Sequence, residues 1–540
     1  MPESENVCVI GGGVGGLSAA HELAERGFEV EVYESKERFG GKARSIYHES
    51  EVTGTELPGE HGFRFFPEFY SHVTDTMKRI PYDGNPRGVY DNLVAPPSGT
   101  MMIEDGENVA QGEGLPRTPE GFRRRIRSLF WTDEVPRREF AFFVDRMMTL
   151  ATSCEKRWEE YEKIPWWEFI QAERMSEEYR KFLGRGVTKL LVAMDPEESS
   201  TRTIGKVALR TAVDVLDPRR DAVRILDGPT SERWIEPWVN HLESMGVSLE
   251  ERTSLERLRV DEDVEGAEFG TDSGSISVEA DHYVLAVPVE VARSVIPDCA
   301  AREGTGLGGL DSVETDWMNG IQFYLNEDVE VAEGHGVCFD SPWAITVVSQ
   351  RQFWEDWDYD IDGVVSICVS DWDSPGVLYG KAAKDCDPEE IKEEVWEQLN
   401  RHLDERIDDS VLVDYHLDPA VRDSNGNDEP LLINTCGSYK ARPEPDTGIE
   451  NLYIAADYAR TETELATMES ANEAARRSVN GVLKRSSVSA PLCETYDFKE
   501  LSVGPAERYD RIAERLNVPH VGEYTKRLHM AAADVAERMG

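Results

Sequence analysis

Residues 7–34, VCVIGGGVGGLSAAHELAERGFEVEVYE, constrain the fold more than any other part of the chain. A short apolar strand over 7–10 runs into Gly11-x-Gly13-x-x-Gly16. Apolar or small residues at Leu17, Ala20, Leu23 and Ala24 then keep helical spacing, and 28–33 reads as a second strand. Gly11 permits the tight turn, Gly13 lets a diphosphate approach the backbone, and Gly16 lets the helix lie close to the strand. Around Val14 and Gly15 the helix N-terminus offers free N–H groups and a positive dipole end, which suit a diphosphate. Glu34 follows Gly16 by 18 residues, near the spacing at which an acid accepts hydrogen bonds from a ribose, so a 2′-phosphate is disfavoured. The unit is a βαβ dinucleotide site, and NADP is not its expected ligand.

The same glycine pattern recurs at Gly304-Thr-Gly306-Leu-Gly-Gly309. It follows a polar segment containing Pro297, and no apolar-periodic helix begins after it, so it reads as a flexible loop. A second glycine pair beside a cation, Gly40-Gly41-Lys42, follows the second strand and brings backbone close to a bound cofactor. The GEHGFRFFP segment comes next, with a helix expected over 69–80. His61 in that segment reads equally well as a structural histidine or as a pocket wall. From 117 to 224 the pattern is helical, with large apolar residues such as Phe140, Phe143, Met148, Trp166, Leu190 and Leu191 expected to form mainly the core of a lobe. An amphipathic helix is expected over 233–247 with Pro237 in its first turn, and strand-like runs return over 247–260 and 280–288. Near the C-terminus a strand ends in Asp457, and a helix starts near Thr467 and Met468, so free N–H groups again face a ligand.

At 540 residues two domains are expected. Lys and Arg number 58 against 105 Asp and Glu, a net charge of -47 that repels nucleic acid and excludes it as a partner. Only 15 of the 58 are Lys, and a Lys-poor, uniformly acidic surface is the composition of a halophilic protein, whose self-repulsion salt screens. Against that background the 117–138 segment, from Arg117 to Arg138, holds seven Arg and three acids interleaved with Leu129, Phe130 and Trp131. It reads first as a solvated helix with paired arginines, and second as a peripheral membrane contact. Eight scattered cysteines, with no C-x-x-C pair and no clustered His, point to reduced thiols in a cytoplasmic protein without a metal site. The first strand begins almost at once, leaving no room for a signal peptide, and no run of 18 apolar residues spans a membrane.

VIGGGVGGLSAAHEL, ERFGGKA, GEHGF, ADHYVLAVP and ENLYIAADYARTETELATMESANEAA together resemble the flavin-containing amine oxidoreductase superfamily. Within it they look most like the branch of phytoene desaturases and hydroxysqualene dehydroxylases. The resemblance covers about residues 5–485 and implies an α/β fold. It implies a discontinuous Rossmann-like FAD-binding domain over 1–85, 225–300 and 430–485, and an inserted α+β substrate domain over 86–224 and 301–429. A helical extension over 486–540 lies outside it, with a covering or oligomerising role. It implies FAD with its ADP half on Gly11, Gly13, Val14, Gly15, Gly16 and Glu34, its pyrophosphate also near Gly40, Gly41 and Lys42, and its ribityl and ring near Asp457, Thr467 and Met468. The family's Gly-Asp is Ala456-Asp457 here, and its Met-Glu-Gly is Met468-Glu469-Ser470. No cysteine motif for covalent attachment is present, so FAD is expected to be noncovalent.

Three functions are weighed. The first is hydride transfer between flavin and an apolar isoprenoid, as in a desaturase or dehydroxylase, for which no fixed acid–base pair is needed and none was found. The second is amine oxidation, with Tyr439 or Tyr458 in an aromatic wall. The third is a flavin-bound partner in a lipid pathway that does not turn over. Oligomeric state is left open and no catalytic side chain is assigned; His61 and Arg64 are the first to substitute.

Overall fold

The computed structural model describes residues 5–96, 99–104, 108–110, 135–189, 193–216, 223–301, 304–332, 334–354, 356–422, 426–498 and 501–539. Leu190, Leu191 and all of the arginine-rich segment before Val135 lie outside the described residues.

Five parallel strands form the first sheet, in the order Ser248–Glu250, Glu29–Tyr33, Asn6–Ile10, His282–Leu285, Leu452–Ile454. Its central strand is apolar on both faces because both are covered, and Val7, Cys8, Val9 and Ile10 are all buried. Helix Val14–Ala24 makes the first crossover and lies between this sheet and helix Met468–Arg485. The sheet thus draws strands from three widely separated stretches of chain.

Helix Met468–Arg485 buries an unusually polar face. Asn472 Nδ2 donates to Ser18 Oγ at 2.7 Å and to Thr76 Oγ1 at 3.0 Å. Arg476 is buried and donates to the His72 carbonyl at 3.1 Å and to Asp75 Oδ2 at 2.7 Å, and it lies 3.4 Å from Glu22. Burial raises the Glu22 carboxyl, but Arg79, Arg476 and Arg26 outweigh it and hold the group below the usual carboxylate range. Glu469 caps another helix altogether: it accepts from the N–H groups of Ser71, His72 and Val73 at 2.8, 2.9 and 3.0 Å, and from His72 Nδ1 at 2.8 Å. That cap explains why helix His72–Arg79 starts three residues later than its apolar spacing suggests, since Ser71 supplies no side-chain cap of its own.

A seven-stranded mixed sheet forms the second layer, with Asn319–Leu325, Gly363–Val369 and Thr346–Ser349 at its centre. Period-2 alternation divides its faces. Ile321, Phe323 and Leu325 share a core with Val395, Trp396 and Leu399 of helix Pro388–Arg401, which begins in an Asp387/Glu390 capping box. The alternate residues face the GEHGF segment: the Gly320 N–H donates to the His61 carbonyl at 2.7 Å, and Gln322 pairs with the Glu60 backbone in both directions at 3.2 Å. The sheet therefore positions residues 59–66 against the first domain.

The helical lobe is present, with helices Arg137–Ala151 and Thr201–Leu216 around Phe142, Phe143, Trp166 and Tyr179. Met148, expected in its core, is exposed, because it falls on the outward face of Arg137–Ala151 with Val144. Helices Gly504–Arg515 and Val521–Met539 of the C-terminal extension pack on this lobe. The second glycine pattern is less free than a flexible loop: Leu307–Ser312 is a short 3-10 helix that buries Leu307 and Leu310. Among the described residues no helix is long and apolar enough to cross a membrane.

Replacing Arg476 by Ala strips Glu22 and Asp75 of a buried partner and should cost about 3 kcal/mol or more of unfolding free energy. Urea unfolding of the two proteins measures it, and a loss below about 1 kcal/mol would show the network to be dispensable.

Candidate functional site

The N-terminal glycines divide their roles. Gly11 takes φ 105°, which an L side chain resists, and its N–H closes on the Tyr33 carbonyl at 2.8 Å. A Cβ on Gly16 would overlap the Gly11 carbonyl, and one on Gly15 would overlap the Ala455 carbonyl. Gly15 thus seats helix Val14–Ala24 against the chain just before Asp457, a packing role that the motif alone does not announce. Gly13 differs, because a Cβ there meets only Gly41 Cα at an ordinary 3.7 Å. It caps the helix from extended backbone without a side-chain cap, so the first N–H groups stay available.

Glu34 is buried beside this turn. One of its oxygens accepts from the Gly12 N–H at 2.7 Å and the other from the Lys36 N–H at 2.9 Å, so the acid also braces the glycine turn. The second glycine pair bridges directly to the first: Gly13 pairs with Gly40, and the Gly40 N–H donates to the Gly12 carbonyl at 2.8 Å. Gly40 and Gly41 both have positive φ, and Lys42 reaches the Pro430 carbonyl.

Asp457 follows strand Leu452–Ile454 and is half-buried, and desolvation raises its carboxyl with Lys42 and Arg442 opposing. Arg442 is fully buried; its Nη1 donates to the Glu464 carbonyl at 2.7 Å, while Nε and Nη2 have no partner. Glu464 holds φ 63° in the turn before the helix, a strained position kept by its surroundings. Its carboxylate pairs with Lys206 at 2.7 Å and Arg202 at 2.8 Å, and these outweigh the effect of burial and lower its pKa. Glu473 also accepts from the Glu462 N–H at 2.9 Å. Thr467 caps helix Met468–Arg485, its hydroxyl accepting from the Ser470 N–H at 3.2 Å. The two departures are accommodated, since Ser470 is buried with its hydroxyl 3.4 Å from Thr461 Oγ1 and Ala456 is buried.

Residues 59–66 supply a pocket. Glu60, Phe63 and Arg64 line it with Ile225, Val348 and Trp354. Glu60 Oε1 accepts from Ser45 Oγ at 2.8 Å and the Thr230 N–H at 2.9 Å, whereas Oε2 has no hydrogen-bond partner and lies 3.6 Å from Arg64. Burial pushes this carboxyl up, with Arg64 opposing. His61 is both structural and unfinished: Nδ1 sits 2.5 Å from Asp418, and Nε2 is buried without a partner. The Tyr439 ring has guanidiniums of Arg202 and Arg460 at 4.3 and 5.7 Å, while Tyr458 is buried with its hydroxyl unpartnered. Glu60, Arg442 and Glu464 were not singled out in the sequence; their roles rest on partners far along the chain.

A family model for flavin containing amine oxidoreductases matches residues 14–483. The 15-cis-phytoene desaturase of Arabidopsis thaliana is 25% identical over 309 residues, 54% of this chain and 49% of that protein. The chain spans about half the length of such relatives. Carotenoid 3,4-desaturase of Haloarcula japonica is 37% identical over 109 residues, 19% of each chain. Among solved structures, putrescine oxidase bound to putrescine superposes with a TM-score of 0.62 at 15% identity, over 89% of this chain and 99% of that one, a likeness of fold. The chain belongs to the flavin containing amine oxidoreductase family.

Proposed function

We propose that the chain holds FAD noncovalently and exchanges hydride with an apolar isoprenoid of the carotenoid or squalene type. The observation that carries the reading is the family match over residues 14–483; the pocket beside residues 59–66, about 20 Å³, sets Phe63, Ile225, Val348 and Trp354 beside Glu60, Arg64 and Gln350 and would have to open for such a substrate. The names of the similar desaturases support it. Bound FAD supplies a two-electron hydride acceptor or donor. Gly11, Gly13, Val14, Gly15, Gly16, Gly40, Gly41 and Lys42 would hold its diphosphate, Glu34 a ribose, and Asp457 the polyol hydroxyls. N–H groups at Thr467 and Met468, with the unpartnered guanidinium nitrogens of Arg442, would stabilise negative charge. The unpartnered polar atoms and the open approach at Gly13 fit such a ligand. Glu60 Oε2 would hold the proton that accompanies hydride removal or hydroxyl loss.

Amine oxidation is the competing reading, favoured by the putrescine oxidase fold but weakened at Tyr439, whose ring already engages two guanidiniums. A flavin partner that does not turn over is the third. We read the surface as halophilic from its charge, and the arginine-rich 117–138 segment, whose residues before Val135 lie outside the described ones, first as a solvated helix with paired arginines and second as a peripheral membrane contact.

Anaerobic bleaching of the flavin band should follow addition of a polyprenoid and not of primary amines. Amines alone would sustain the competing reading, and silence with both oxidised and reduced flavin would sustain the third. Glu60→Gln should slow the bleaching about 100-fold with flavin content unchanged. For the cofactor residues, Gly13→Ala should lower FAD affinity at least about tenfold with an unaltered circular dichroism spectrum, since its Cβ meets only ordinary contact within the protein. Full FAD retention would remove Gly13 from the site. Thermal unfolding in decreasing KCl should show the midpoint falling steadily, and a midpoint indifferent to salt would contradict the halophilic reading.

A further inference from the structure

The two C-terminal helices sort their charges by face. Asp510 pairs with Arg157 at 3.0 Å, Glu523 with Arg146 at 3.1 Å, Glu514 with Lys156 and Asp534 with Arg174. Each of these bridges runs from an acid of the extension inward to a cation of the helical lobe. Glu507 is occupied by the Ser502 hydroxyl. The outward face is left with Arg508, Arg511, Arg515 and Arg527, all exposed and none in an ion pair with another described residue. Among the tail side chains described, Asp534 is the one exposed acid of these helices, and it is paired.

Between those arginines runs an apolar stripe. Tyr509, Ile512 and Leu516 on the first helix, and Val521, Tyr524 and Leu528 on the second, keep i, i+3, i+7 spacing and are 48% to 70% exposed. An apolar stripe flanked by unpaired arginines is conspicuous in a chain whose net charge is -47. A second copy meeting it through a twofold axis would set arginine against arginine. A copy meeting it head to tail would satisfy the arginines with surface carboxylates, but would press the stripe against charge. An anionic bilayer meets both demands, with headgroup phosphates for the guanidiniums and the acyl boundary for the stripe.

We propose that helices Gly504–Arg515 and Val521–Met539 are a docking surface for an anionic lipid bilayer. Four acids of these helices, Asp510, Glu514, Glu523 and Asp534, are taken up in fastening them to the lobe, which is how an acidic protein presents a basic face here. The surface is distinct from the pocket, and the proposal does not rest on the nature of the substrate. Exposed Val144 and Met148 on helix Arg137–Ala151, against which Val521–Met539 packs, add apolar area to the same lobe.

Flotation of the full FAD-loaded chain with vesicles tests it, using phosphatidylglycerol mixed with phosphatidylcholine against pure phosphatidylcholine. The runs use the lowest KCl at which circular dichroism is unchanged, and molar KCl. The native chain should float with the anionic vesicles and more weakly with the neutral ones. Replacing Arg508, Arg511, Arg515 and Arg527 by Gln should weaken anionic binding at least about tenfold at the lower salt and make little difference in molar KCl. The Ile512→Asp, Leu516→Asp, Leu528→Asp triple variant should lose binding at both salt concentrations while keeping its flavin spectrum. The proposal is overturned by a native chain that floats with neither vesicle, or equally with both, and by an arginine variant that floats like the native chain. A dimer seen by light scattering, dissociated by Leu516→Asp and indifferent to vesicles, would instead give the face to a second copy.

Discussion

The guanidinium of Arg476, almost out of reach of solvent, donates to Asn472, His72, Asp75, Thr76 and the Glu494 carbonyl, and it faces Glu22 from the opposite side of a helix pair. Burying a charge costs several kcal/mol unless every direction around it is satisfied, so these partners must arrive together or not at all. The requirement fixes the angle and depth of helix Met468–Arg485. That depth sets where Glu469 caps helix His72–Arg79 and where the N-terminal turn at Thr467 opens. The candidate cofactor cradle is a by-product of satisfying one arginine.

Cations are scarce in this chain, and their distribution is telling. Arg146, Arg442 and Arg476 are among its most deeply buried large side chains, and Lys42, Arg44 and Arg64 gather around the glycine turns. Carboxylates supply the solvated surface, while guanidiniums hold elements together and neutralise the interior. Such a division lets a very acidic exterior coexist with cations gathered at the glycine turns.

The first 34 residues were legible because glycine turns, apolar strands and a terminal acid act locally, through backbone conformation and spacing. Asp457 and Thr467 were legible for the same reason, a strand end followed by a helix cap. Glu60, Arg442, Glu464 and Glu469 were not, since each acquires its meaning from a partner tens to hundreds of residues away, and a lone acid or arginine in a loop gives no sign of one. Met148 shows a related limit: periodicity identifies an amphipathic helix, but a wide apolar face does not say which edge meets solvent. The bulk of the family resemblance therefore resides in the parts of the chain whose chemistry is short-range.

Sheet order carries a consequence for biosynthesis. The strand that completes the parallel sheet, Leu452–Ile454, and the helix that caps His72–Arg79 both lie in the last fifth of the chain. At roughly 5–20 residues per second, the start of helix His72–Arg79 waits on the order of half a minute for its cap, and strand His282–Leu285, which pairs with the N-terminal βαβ unit, waits on the order of ten seconds or longer with its outer edge unpaired. The fold resolves this late, so the sheet edge and the helix start are both completed only as the last fifth of the chain emerges.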